Sequence, residues 1–424
     1  MPDASRSAAE SPHAPVGPVQ VVARRPSVDH GEPVAAAQRL ELLDTLRGFA
    51  LAGVLLANLV ALSLYPFLPA EQMRALPTAG FDRLLDPALG ALVSGRFITL
   101  FSLLFGVGFA MQMQRAAGDP TARRRYLRRL AALFAIGLLH AHLLWWGDVL
   151  RYYAVLGLLL LPLSRLPTGA LAAIGTVLIV VPQPLIAHLF AGAGPPLAPQ
   201  EQANAAALAA FSSVDWSTMW QGNRAFFDWW LPARWGIVLA VAGCMLIGVA
   251  LGRSGALLDP SAHVRFWNRL LLALPVGLAL SLGLVLLEYG RLPGLDAWQA
   301  GAGRALQRML HHGATLLLGL GYMAGVVWLF GQPRGRPALQ PLAPVGRMAL
   351  SNYLAQTVVA VAVFYGVGLG LGPRFGLVGV GAAWVLLFAA QVAASRWWLA
   401  RFRFGPAEWL WRSATYARWQ PMRR

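Results

Sequence analysis

Eight residues separate His140 from Asp148 in a stretch that is otherwise almost wholly apolar. An imidazole with its ordinary pKa near neutrality can take up and return a proton, so His140 is the candidate general base. Asp148, after the tight link Trp146-Gly147-Asp148, can return to the same cavity and orient it. Asp44, the third candidate catalytic residue, stands three positions before Arg47, so both share a helix face. Arg47 and Arg347 are suited to phosphate groups, as guanidinium forks are. Asn58, Asn352, Tyr353 and Gln356 could bind a substrate or donate to a developing oxyanion. Plain structural roles stand beside these. Asp44 and Arg47 could close the first helix as an ion pair. Asn58, Asn352 and Gln356 could be hydrogen-bond glue between helices. His142 points to another face than His140, and His188, His311 and His312 lie toward helix ends on the outer side with Arg151.

These residues stand out because their surroundings are so apolar. Of 424 residues, 57% are hydrophobic and 12% charged, and the mean hydropathy is +0.55. A soluble domain carries about twice that charge. Ionisable and amide groups inside hydrocarbon cost several kcal/mol unless paired, so depth singles them out. One cysteine, Cys244, excludes an intrachain disulfide and a cysteine metal cluster. No metal-ligand spacing and no glycine-rich phosphate loop is present. The net charge of +17 comes from arginine alone, gathered at the ends of apolar runs, which fits membrane orientation and not a nucleic-acid surface.

The elements that must position these groups are therefore membrane helices. Residues 1–38, rich in Ala, Pro, Ser and Val, read as a disordered cytoplasmic tail without the apolar stretch of a cleaved signal. Apolar segments follow at about 48–68, 92–113, 128–146, 149–164, 168–190, 234–252, 268–288, 311–331, 348–370 and 376–396. Crossing roughly 30 Å of hydrocarbon takes about 20 residues. The third and fourth are short and tightly joined, with a re-entrant hairpin as the alternative. The fold class is thus an all-α polytopic membrane helix bundle of about ten spans over 39–400. Residues 191–233, with four tryptophans, form an outer loop, and 401–424 form a cytoplasmic interfacial helix and tail. In the last, Pro406 suits a first turn and Glu408 the positive end of the helix dipole. With the N-terminus inside, 25 of the 35 arginines fall on cytoplasmic segments, the densest block running from Arg115 to Arg129. That count places both termini of this inner-membrane protein in the cytoplasm.

Several stretches carry a family resemblance. Leu43-Asp44-Thr45-Leu46-Arg47-Gly48-Phe49-Ala50, Thr99 to Gly108, Gly137-Leu138-Leu139-His140 with Gly147-Asp148-Val149-Leu150, Gly346 to Thr357 and Gly405 to Arg412 occur in order. Together they resemble the YeiB-like family of bacterial membrane proteins over residues 40–415. The Asp-x-x-Arg-Gly opening is also similar to that of the wider transmembrane acyltransferase superfamily. That likeness implies transfer of an acyl group from cytoplasmic acyl-CoA, as co-substrate and not a bound cofactor, to an envelope glycan or lipid. Asp44 and Arg47 match it. The O-acetyltransferases of that superfamily place a histidine in the first span, where this chain has Asn58, so His140 would act from another helix.

On this reading Arg47, Arg347 and the Arg123–Arg125 block attract the donor's phosphates, and His140 deprotonates the acceptor or briefly takes the acyl group. The rival reading is a transporter in which His140, Asp148 and the Asn352–Gln356 amides line a pathway, although no paired broken spans are evident. A third is a protein whose motifs serve packing alone.

Overall fold

The computed structural model describes residues 41–181, 198–233, 235–289 and 301–424. The tail reading for 1–38, the end of the fifth apolar segment with His188, and the start of the outer loop lie outside the described residues.

Apolar runs broken by Gly, Pro and arginine clusters fold into successive helices. They are α1 (Glu41–Leu62), α2 (Ala70–Ala75), α3 (Ala79–Leu92), α4 (Arg96–Arg115), α5 (Ala122–Leu143), α6 (Leu150–Leu163) and α7 (Thr168–Val180). The 191–233 segment contributes α8 (Gln200–Phe211) and α9 (Trp216–Ala233), and α10 (Trp235–Ser254) follows. Then come α11 (Val264–Leu271), α12 (Ala273–Glu288), α13 (Gly301–Phe330), α14 (Gly335–Leu339) and α15 (Leu342–Arg347). The chain closes with α16 (Ala349–Phe364), α17 (Gly376–Arg401) and α18 (Pro406–Tyr416), and no strand occurs among the described residues. This is an all-α polytopic membrane bundle.

Six segments are long and apolar enough to cross a membrane: Glu41–Phe67, Ala79–Arg115, Gly236–Ser254, Val264–Glu288, Gly301–Phe330 and Gly376–Arg401. The apolar helices α6, α7 and α16 are shorter. Fourteen residues make about 21 Å of helix, so α6 falls short of a roughly 30 Å hydrocarbon layer. Helix α5 has 22 residues, but Arg123, Arg124, Arg125, Arg128 and Arg129 occupy its first two turns. Its apolar part, from Leu130, is no longer than α6.

The chain ends of the bundle meet on one side. Glu41 at the start of α1 pairs with Arg336, and Gly346 abuts the Asp44 carbonyl so closely that a Cβ would collide with it. Arg253 at the end of α10 donates to the carbonyls of Ser164 and Leu166, and the Trp411 indole N–H donates to the Arg129 carbonyl at 2.8 Å. Every arginine-rich connection named here therefore lies at a single end, with α1 entering and α18 leaving there. At the far end, Asp82 accepts the Leu377 N–H at 2.9 Å, the Phe211 carbonyl accepts the Gly366 N–H at 2.9 Å, and the Phe211 and Tyr365 rings stack.

Helix α18 is docked onto the bundle. Glu408 reaches another helix: its Oε1 accepts the N–H groups of Leu350 (2.6 Å) and Ser351 (3.1 Å), and its Oε2 accepts the Ser351 hydroxyl at 2.5 Å. It thus satisfies two of the unpaired amides at the start of α16. Burial pushes its carboxyl above the usual range.

Candidate functional site

Helices α5 and α6 form a tight antiparallel hairpin, and its tip holds the dyad. Gly137 makes this approach feasible: a Cβ there would lie 2.6 Å from the Arg151 nitrogen and 2.9 Å from Asp148 Oδ1. With that space open, Asp148 Oδ2 reaches His140 Nδ1 at 2.8 Å, and both side chains are essentially fully buried. Asp148 Oδ1 accepts the Arg151 N–H at 3.1 Å, which holds the carboxylate at the positive N-terminal end of α6. A carboxylate on Nδ1 fixes a neutral imidazole with its proton on that nitrogen, leaving Nε2 with a free lone pair. His140 Nε2 is buried and has no hydrogen-bond partner among the described residues. An imidazole so held can accept a proton at Nε2.

Tyr353 from α16 forms the adjoining wall. Its ring centroid lies 5.2 Å from that of His140, tilted by 51°, and its hydroxyl accepts the Val149 N–H at 3.4 Å. The phenolic proton remains available to another acceptor. Because Glu408 caps the start of α16, the C-terminal helix helps to fix Tyr353.

The tip is roofed by α9, which the sequence reading places along the outer surface. Asn223 Oδ1 accepts the Trp146 N–H at 2.5 Å, and its Nδ2 donates to the Ala141 carbonyl at 2.8 Å. The Trp220 indole N–H donates to the Leu143 carbonyl at 2.9 Å, and Phe226 packs edge-on against Trp146. The Arg151 guanidinium sits 4.0 Å over the Phe227 ring and donates to the Trp146 carbonyl at 3.1 Å. Sequence reasoning missed Asn223 and Phe227. Their signal was the helical spacing of Trp220, Asn223, Phe227 and Trp230, a face on which one amide interrupts aromatic residues.

The other candidates divide. Asp44 and Arg47 pair at 2.9 Å at the arginine-rich end, close to Arg347. Arg123 and Arg124 are exposed, and Arg125 pairs with Asp119. Asn352 and Gln356 face α17: Asn352 Nδ2 donates to Ser395 Oγ at 3.0 Å, Gln356 Nε2 donates to Gln391 Oε1 at 2.9 Å, and Gln391 Nε2 donates to the Asn352 carbonyl at 3.0 Å. Asn58 is half-buried on α1. His311 and His312 stand at the far end, where His311 lines a cavity of about 490 Å³ with Asp86, Ser94, Glu288 and Tyr289. Among the described residues no group of three potential ligands is placed to hold a metal ion.

Residues 251–418 match the family described as protein of unknown function (DUF418). The chain is 32% identical over 424 residues to the uncharacterized protein YxaH of Bacillus subtilis, covering 92% of this chain and 98% of that protein. This chain belongs to the DUF418 family. It is also 30% identical over 398 residues to the uncharacterized protein YeiB of Escherichia coli, with 89% and 96% covered. No solved structure matches this DUF418 chain. The matched segment includes Arg347, Tyr353 and Glu408, while the His140–Asp148 hairpin precedes it.

Proposed function

We propose that this DUF418 protein is an acyltransferase of the bacterial cytoplasmic membrane, with both chain ends cytoplasmic, which moves an acyl group from cytoplasmic acyl-CoA to an envelope glycan or lipid. The observation that carries this reading is the buried His140 whose Nδ1 rests on Asp148 and whose Nε2 has no partner. His140 Nε2 removes the proton of an acceptor hydroxyl or amine as that atom bonds to the thioester carbonyl carbon. Asp148 stabilises the resulting imidazolium in this buried site. Tyr353 donates to the oxyanion. The carbon–sulfur bond then breaks, the CoA sulfur leaves with the pair, and His140 returns the proton to it. Arg47 and Arg347, with Asp44 between them, hold the donor's phosphates at the arginine-rich end.

A second reading, solute passage, is favoured by the far-end cavity. Its lining includes Ala57 and Val60 of α1 but neither His140 nor Asp148. The cavity and the dyad are thus separate. The deciding experiment is acyl-CoA consumption and acyl transfer by the purified protein and by His140→Ala. Loss in the variant with an unchanged thermal midpoint supports the enzyme; equal rates in both remove it.

A further inference from the structure

Two guanidinium groups at the arginine-rich end meet one face of α4. Arg47 Nη2 lies beside Gly108, where a Cβ would be 3.9 Å from it. Gln112, one turn further along that face, accepts Arg129 Nη1 at 2.7 Å. Positions four apart on a helix are about 5–6 Å from each other, so α4 sets Arg47 and Arg129 side by side, and their charges interact. Arg347 completes the group next to Asp44, with Gly346 pressed on the Asp44 carbonyl and the two charges interacting. Among the described residues Asp44 is the one carboxylate paired with these groups, and Arg47 engages it. Arg129 has no carboxylate partner among the described residues, and Arg347 Nε is buried without a hydrogen-bond partner.

Arg129 is held from outside the membrane helices. Its guanidinium lies 4.5 Å over the Trp411 ring, and the same indole N–H donates to its carbonyl. Trp411 therefore fixes both the backbone and the plane of this arginine, and Trp411 belongs to α18.

We infer that Arg47, Arg129 and Arg347 form a binding site for a phosphate-bearing ligand, completed by Trp411 of α18. Three guanidinium groups against one carboxylate leave two charges uncompensated, and planar forks match phosphate oxygens. In assigning the donor as that ligand the inference rests on the acyl-transfer reading; the phosphate site itself does not. Arg129 and His140 lie eleven residues apart on α5, about 16 Å along its axis. A donor held at the site would need an arm of that length to bring its thioester to the imidazole. The same chemistry is offered by a nucleotide-linked pyrophosphate and by an anionic phospholipid headgroup.

The test uses the full chain in nanodiscs of zwitterionic lipid, with CoA and inorganic pyrophosphate titrated at equilibrium. A parallel arm counts phosphatidylglycerol retained in native mass spectra. Arg129→Gln should weaken CoA and pyrophosphate binding at least about tenfold, and Arg129→Lys, which keeps charge without the fork, less. Trp411→Ala should weaken it about threefold by freeing the guanidinium, in keeping with a cation–π contact. His140→Ala should bind CoA as the wild type does while losing acyl transfer, so the two ideas fail separately. Phosphatidylglycerol retained by the wild type, lost in Arg129→Gln and not displaced by CoA would keep the phosphate site and remove the donor. Wild-type affinity and lipid count in a folded Arg129→Gln variant, or no phosphate ligand on the wild type in either arm, would overturn the site.

Discussion

Tyr353 and His140 face each other at 5.2 Å between ring centroids, although 213 residues separate them in the chain. The contact joins α16 to the α5–α6 hairpin, and through it the capped start of α16 bears on the dyad. Tyr353→Phe keeps the ring and removes the hydroxyl. If the phenol donates to the oxyanion, acyl transfer should fall by about 10- to 1,000-fold at an unchanged thermal midpoint. An unchanged rate would leave Tyr353 as a packing residue only.

Asp148→Asn removes the charge while nearly preserving shape. The amide favours the wrong imidazole tautomer, so transfer should drop by about 10²–10⁴, the range of general-base catalysis. Nitrogen-15 chemical shifts of labelled His140 would report the tautomer directly. Nδ1 still protonated in Asp148→Asn would contradict the orienting role.

Gly137→Ala tests the close approach of the hairpin. A methyl group 2.6 Å from a backbone nitrogen must push α5 and α6 apart, at a cost of about 1–3 kcal/mol. Gly325→Ala, on α13 with nothing within 4 Å of its Cβ position, should be neutral or stabilising by up to about 1 kcal/mol. Thermal unfolding in one detergent compares the two directly. Similar midpoints would refute the crowding.

Glu408 makes the docking of α18 pH-dependent. Its carboxyl is raised in the folded state, chiefly by burial. A raised acid contributes stability that is fully present below its unfolded pKa and lost as pH rises through the folded value. Cleavage of the C-terminal segment by a protease should therefore quicken as pH rises out of the acid range. Glu408→Gln, neutral throughout, should flatten the profile. A wild-type profile that slows with rising pH would reverse the sign and refute it.

The sidedness of the bundle can be mapped with single cysteines in a Cys244→Ser background. Thr121 and Ser261, at the arginine-rich end, should react from the cytoplasmic side, and Val214, which is 82% exposed, from the other. An impermeant maleimide on intact cells reads both. Reaction of Thr121 from outside would invert the orientation. The expected orientation, with α1 starting and α18 ending on one side, is the same whether α5 and α6 cross or turn back, because removing two spans leaves the parity unchanged.

Much of this architecture was legible because hydrocarbon imposes long apolar runs and arginine marks their ends. The pairing of His140 with Asp148 was also readable, since a tight turn after a helix returns the chain beside itself. The partners of Asn352 and Gln356 were not. Asn352 points to Ser395 and Gln356 to Gln391, some 40 residues away on α17, and nothing local to either helix encodes which faces meet. The role of α9 was hidden for a similar reason: tryptophans suit a membrane surface and a buried roof equally well. Glu408 was read by its own helix, whereas tertiary contact gave it to another.

The roof over the hairpin has a consequence for biogenesis. Asp148 is translated 75 residues before Asn223. At about 5–20 residues per second, the ribosome needs about 4–15 s to cover that distance. During that interval the Trp146 N–H and the Ala141 carbonyl lack the amide that later satisfies them, and the aromatic face of α9 is absent. Until then the tip of the nascent hairpin lacks its lid. Chains stalled between these two points should be the ones that membrane quality control removes.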